Sequence, residues 1–88
     1  INTASADNVR VQIYPNPANN EATVSVEGVN GKVEFVVADM NGRMIVTETI
    51  NCEGSLVKTI DVSKLAKGAY FVHIYNDNFN TTRKLIVK

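Results

Sequence analysis

Apolar residues in this chain recur at every second position, in seven short runs broken by turn-forming residues. A period of two puts alternate side chains on opposite faces of an extended strand, whereas a helix burying one face needs a period near 3.6. Val9, Val11 and Ile13 share one face, Ala22, Val24 and Val26 another, and Val33, Phe35 and Val37 a third, with Val36 making that run apolar on both sides. The stretches 44–50 and 56–62 are rich in β-branched residues; Tyr70, Val72 and Ile74 alternate again, and Leu85, Ile86 and Val87 close the chain. Seven short strands at a spacing of about 8–12 residues predict an all-β, antiparallel sandwich. No stretch supports a helix longer than the single turn that Asp61 or Ser63 would cap over 61–65.

The turn chemistry is specific. Asn30-Gly31, between two apolar runs, predicts a type I′ hairpin, which needs positive φ at both central residues. Asp39-Met40-Asn41-Gly42 suits a type I turn with a G1 bulge, in which the Asp39 carboxylate accepts from the Asn41 amide and Gly42 takes the left-handed position. Arg43 then starts the returning strand. Gly68 is expected to permit a close backbone approach where the sixth strand begins. In Tyr14-Pro15-Asn16-Pro17 two prolines remove ladder donors, so the first strand stops there, at a sheet edge. Residues 1–8 are small, polar and aperiodic; they are expected to be a linker remnant ahead of one domain spanning 9–88.

At 88 residues the chain has room for one modest core and no separate catalytic domain. Nine basic residues balance nine acidic ones, which leaves no basic footprint for nucleic acid. Cys52 is the single cysteine, so neither an intrachain disulfide nor a structural zinc cluster can form. No apolar run approaches the roughly 20 residues that span a bilayer. The start, Ile1-Asn2-Thr3-Ala4, carries no basic-then-apolar leader, and the chain is expected to be a fragment or processed piece of a longer protein.

Catalytic chemistry finds little to work with. His73 is the single histidine, placed mid-strand with Phe71 and Tyr75 on the face opposite Tyr70, Val72 and Ile74. A triad would have to draw on Ser25, Ser55 or Ser63, and none sits in a nucleophile-elbow pattern. Oxygen-rich candidates for calcium, Asp77, Asn78 and Asn80 or Asp39 and Asn41, lack the ligand spacing of an EF-hand loop and read as turn formers. No catalytic residue, metal site or cofactor is expected. Sugar-binding sandwiches present aromatic platforms, and this chain has no tryptophan. Asn80-Thr81-Thr82 matches the short N-glycosylation pattern.

Taken together, four segments resemble one family. Tyr14-Pro15-Asn16-Pro17-Ala18, Asp39-Met40-Asn41-Gly42-Arg43, Leu65-Ala66-Lys67-Gly68-Ala69-Tyr70 and the closing Lys84-Leu85-Ile86-Val87-Lys88 are similar, in order and spacing, to the C-terminal sorting domain (type A) of type IX, or Por, secretion cargo in Bacteroidetes. The resemblance covers residues 9–88. It implies an immunoglobulin-like sandwich of about seven strands and a non-catalytic role as an address. The implied partners are an N-terminal cargo protein, covalently attached, the outer-membrane components of type IX secretion and a sortase-like cysteine peptidase that removes the domain. The implied route runs through the periplasm to the outer-membrane surface or the medium. Residues 84–88 are the expected translocon contacts, by strand addition to an edge or through neighbouring turns. Pro15, Gly42, Gly68 and Tyr70 are expected mainly to serve folding, and the processing bond is expected within 1–8 or just ahead of it. The alternatives are a carbohydrate-binding or adhesive sandwich on a secreted enzyme, and a structural spacer or homodimerisation module.

Overall fold

The computed structural model describes residues 9–88, so the lead-in 1–8 lies outside the described residues. Five antiparallel strands follow one another: β1 (Arg10–Tyr14), β2 (Glu21–Asp39), β3 (Met44–Asp61), β4 (Gly68–Tyr75) and β5 (Asn80–Val87). Both β2, at 19 residues, and β3, at 18, are far longer than an ordinary strand of about 5–6. Along one edge β2 pairs with β3 throughout. Along its other edge its first half pairs with β1, and its second half with β4, which in turn carries β5.

This long ribbon folds over on itself to make two layers. Glu48 and Lys58 lie ten residues apart on β3, a span of roughly 33 Å on a straight strand. Their side chains nevertheless meet, with Lys58 Nζ 2.6 Å from Glu48 Oε1. The corner falls where the β2–β3 register slips between Glu27 and Val29, with Gly28 at φ +90°, Gly31 at φ +94° and Gly54, on the facing strand, at φ +90°. A bulge and glycines in the left-handed region are how one strand passes from one sheet of a sandwich to the other. Inward residues of both halves of β2 (Val24 and Val26; Val33, Phe35 and Val37) then bury in a single core with Val72, Ile74 and Leu85.

The expected all-β antiparallel sandwich is therefore present, its seven apolar runs carried on five continuous strands. The predicted Asn30-Gly31 hairpin is not formed. Asn30 pairs with Glu53 and Gly31 with Cys52, in mid-ribbon, and among the described residues every positive φ belongs to glycine. Gly31 does take the left-handed conformation, but for a corner rather than a reversal. The 39–43 turn is as expected: the Gly42 amide donates to the Asp39 carbonyl at 3.0 Å, the Asn41 amide to Asp39 Oδ1 at 2.9 Å, and Gly42 has φ +86°. Over 61–65 the chain makes a single turn, with the Ser63 amide on Asp61 Oδ1 and the Leu65 amide on the Val62 carbonyl. A Cβ on Gly68 would meet nothing within 4 Å, so the expected close approach is absent; the need for glycine comes from its φ of +145°.

Candidate functional site

The four sequence motifs converge on one end of the sandwich. Asp39 on β2 pairs with Tyr70 on β4, and Tyr70 pairs with Leu85 on β5, so three motifs share one row of the sheet. The first motif closes that row from outside. Asn16 Nδ2 donates to the Lys84 carbonyl at 2.9 Å, and the Ile86 amide donates to Asn16 Oδ1 at 3.0 Å. Ala18 continues the seal: its amide donates to the Ile86 carbonyl and the Lys88 amide donates to the Ala18 carbonyl, both at 2.8 Å. A primary amide carries a donor and an acceptor side by side, so the Asn16 side chain pairs with an extended backbone as another strand would.

Four successive outward-facing main-chain groups, from the Lys84 carbonyl to the Lys88 amide, are thereby satisfied. An open edge strand offers such groups to any incoming strand. This stretch offers none, so strand addition at 84–88, expected from the sequence, is closed by the fold. Proline suits the flanking positions of this clamp because its backbone has no amide hydrogen left without a partner; the Tyr14–Pro15 and Asn16–Pro17 bonds are both cis.

The predicted site residues divide into two groups. Leu85 and Val87 point inward and are 0% and 3% exposed, while Lys84 and Lys88 are exposed and Ile86 is half-buried. Asp39 is committed to its own turn: besides Asn41, it accepts from the Arg43 amide at 2.9 Å and from Arg43 Nε at 3.1 Å. Those bonds, the Arg43 amide first, hold the Asp39 carboxyl below its ordinary value. Tyr70 is buried and its hydroxyl donates to the Ala66 carbonyl at 2.5 Å, which fixes the turn entering β4. Leu65 packs against the core, and Tyr14 at the end of β1 is half-exposed.

Between the 39–43 turn and the 66–70 segment runs a shallow cleft of about 250 Å³, flanked by Met40, Arg43 and Lys67. Beside it, the outer face of β4 and β5 sets Phe71 opposite Lys84 and Ala69 opposite Ile86. Sequence reasoning missed both this face and the clamp. Alternation alone puts Lys84, Ile86 and Lys88 on one side of the last strand, which was the available signal for the face; nothing local marks Asn16 as a partner of residues 68 and 70 positions away.

Elsewhere, His73 Nε2 lies 2.6 Å from Asn80 Oδ1 and its ring stacks on Tyr75 with centroids 4.6 Å apart, on the outer face of β4. Ser63 bonds Asp61, and the Asp39 oxygens are taken by turn amides and Arg43. Among the described residues no cluster of three or more metal-ligating side chains occurs. Cys52 is buried in the core near the corner, where burial pushes its thiol pKa up.

Comparison with solved structures finds a crystal structure of dimeric latent PorU from Porphyromonas gingivalis, with a TM-score of 0.66 at 19% identity over 90% of this chain. The chain spans only 9% of that protein's length, and at this identity the likeness is one of fold. No curated protein sequence matches. The family model described as the secretion system C-terminal sorting domain matches residues 12–88, which takes in all four motifs. The chain belongs to that family, the sorting module of type IX secretion that its motifs resemble.

Proposed function

We propose that this domain is a non-catalytic secretion address: it directs a cargo folded in the periplasm to the type IX outer-membrane translocon, and a sortase-like cysteine peptidase then removes it. The observation that carries this reading is the convergence of all four family motifs on the pole that contains the terminal strand. There the inward residues Leu85 and Val87 hold the strand in the core, and Lys84, Ile86 and Lys88 remain for a partner to read. In this reading Pro15, Asn16, Pro17, Asp39, Gly42, Arg43, Leu65, Gly68 and Tyr70 build the pole, and the cargo is joined ahead of residue 9. The delivered cargo reaches the outer-membrane surface or the medium.

The test is removal of 85–88 from the precursor in a type IX-secreting bacterium. Cargo is expected to accumulate in the periplasm, and unchanged surface delivery overturns the proposal. Because Leu85 and Val87 are core residues, the deletion also loosens the sandwich. Exchanging Lys84 and Lys88 for Ser, which leaves the core intact, is the companion variant, and its effect on delivery is free of that ambiguity.

A further inference from the structure

The chain is electrically neutral as a whole, yet its charges are sorted by pole. The corner end carries Glu27, Glu34, Glu53 and Asp77 against Lys32 and Arg10, the latter directly across from Glu27. The motif end carries Arg43, Lys64, Lys67, Lys84 and Lys88 against Glu21, Asp39 and Asp61. Two ion pairs form among the described residues, Arg43–Asp39 and Lys58–Glu48. Lys64 acts on the Asp61 carboxyl, whose pKa is lowered chiefly by hydrogen bonds from Ser63 and also by this charge. At this end that leaves Lys67, Lys84 and Lys88 exposed with no ion-pair partner among the described residues.

Lys84, and Lys88 just past the strand's end, share one face of β5, and Lys67 lies beside them in the segment that enters β4. Leu85 and Val87 point into the core, so Lys84, Ile86 and Lys88 point out of it. On β4, Tyr70 and Val72 point in, so Ala69 and Phe71 share the outer face with Lys84 and Ile86, their register partners. Lys67 and Lys88 lie one step beyond the Gly68–Val87 pair. Half-buried Phe71 and Ile86 form the centre of this patch, exposed Met40 stands beside it at the cleft, and the lysines form its rim. An apolar centre within a charged rim is the anatomy of a protein–protein interface. Phe71 and Ile86 are half-buried rather than fully exposed, which suits a rigid complementary surface better than the interior of a lipid layer.

Resting on the sorting reading above, we propose that the terminal strand is read by its face and not by its edge, and that the reader is a protein surface with an apolar centre and an acidic rim. Asn16 and Ala18 occupy the edge. The unpaired lysines set the sign of the partner, and apposed charges of opposite sign steer encounter while like charges suppress it.

The test uses the precursor in a type IX-secreting host. Wild-type chain, the triple variant Lys67→Glu, Lys84→Glu, Lys88→Glu, the triple Lys→Gln variant and the corner control Lys32→Glu are compared for surface delivery, with melting of each 88-residue chain as the fold check. The Glu triple is expected to lower delivery at least ~tenfold and the Gln triple about threefold, with melting and the Lys32 control unchanged. Delivery by the folded Glu triple equal to wild type overturns the proposal. Failure of the wild-type chain itself to be delivered refutes instead the sorting role. Two further arms use the isolated chain. Co-sedimentation with phosphatidylcholine–phosphatidylglycerol vesicles that the Glu triple abolishes would assign the rim to an anionic lipid surface. Self-association that it abolishes would assign the rim to the acidic pole of a second copy. Either result overturns the proposal.

Discussion

Replacing Asn16 with Ala removes two hydrogen bonds to the terminal strand at one stroke. They are 2.9 Å and 3.0 Å long and join residues almost at opposite ends of the domain. A neutral hydrogen bond contributes about 1 kcal/mol net, because water replaces it in the unfolded chain. Both bonds are exposed, so water also reaches the freed Lys84 carbonyl and Ile86 amide in the variant, and the expected loss is about 1–2 kcal/mol rather than more. For a domain of this size that lowers Tm by roughly 5–15 °C. Urea titration should show a lower midpoint at unchanged slope, because the area exposed on unfolding hardly changes. The local signature is sharper: native-state hydrogen exchange at the Ile86 amide should speed up about tenfold or more, while amides in mid-β4 follow only the global change. Asn16→Asp keeps the acceptor for Ile86 but turns a carboxylate toward the Lys84 carbonyl, so it should be destabilised at neutral pH and recover as the new carboxyl protonates and regains a donor. A loss under about 0.3 kcal/mol with unchanged Ile86 exchange would refute the clamp, since it falls well short of even one ordinary hydrogen bond.

Three further outcomes are expected. Gly42→Val should cost more than the ~1 kcal/mol of an average substitution, since φ is +86° there; an unchanged urea midpoint would contradict it. Leu85→Ala, at a fully buried position, should cost about 2–5 kcal/mol, measured by urea unfolding. Asp39 has a folded pKa below its unfolded one, so its contribution is complete above the unfolded value and is lost as pH falls through the folded value. Asp39→Asn should therefore be less stable than wild type at pH 7, with the gap closing in melts taken well below about pH 4; a gap that persists in acid would contradict this.

Much of this fold is legible in the sequence because burial imposes a period of two wherever a strand has one wet face. That period names the inward residues Val24, Val26, Val33, Phe35, Val72 and Ile74 correctly, since each is buried. It cannot say whether two apolar runs are joined by a reversal or by a corner, because Gly31 at φ +94° serves either. The distinguishing sign was symmetry: Gly31 and Gly54 stand eleven residues before and twelve after Gly42, as a ribbon bent on both strands about one hairpin requires. The 39–43 turn was readable because all its bonds are local. The Asn16 clamp was not, because its partners are 68 and 70 residues away and only the closed sandwich brings them together. For the same reason the terminal strand resembled an open edge, when Asn16 and Ala18 already fill it.

The intact mass of surface-delivered cargo decides whether this domain is a removable address. The precursor, made with its wild-type domain, is recovered from the outer-membrane surface or the medium and weighed, and its new C-terminus is sequenced. Residues 9–88 are expected to be gone, with the cut ahead of Val9, because beyond it the chain is held in β1 by pairing with β2 from Arg10 to Tyr14. Surface cargo that still carries 9–88, or a cut inside 10–14, would contradict this.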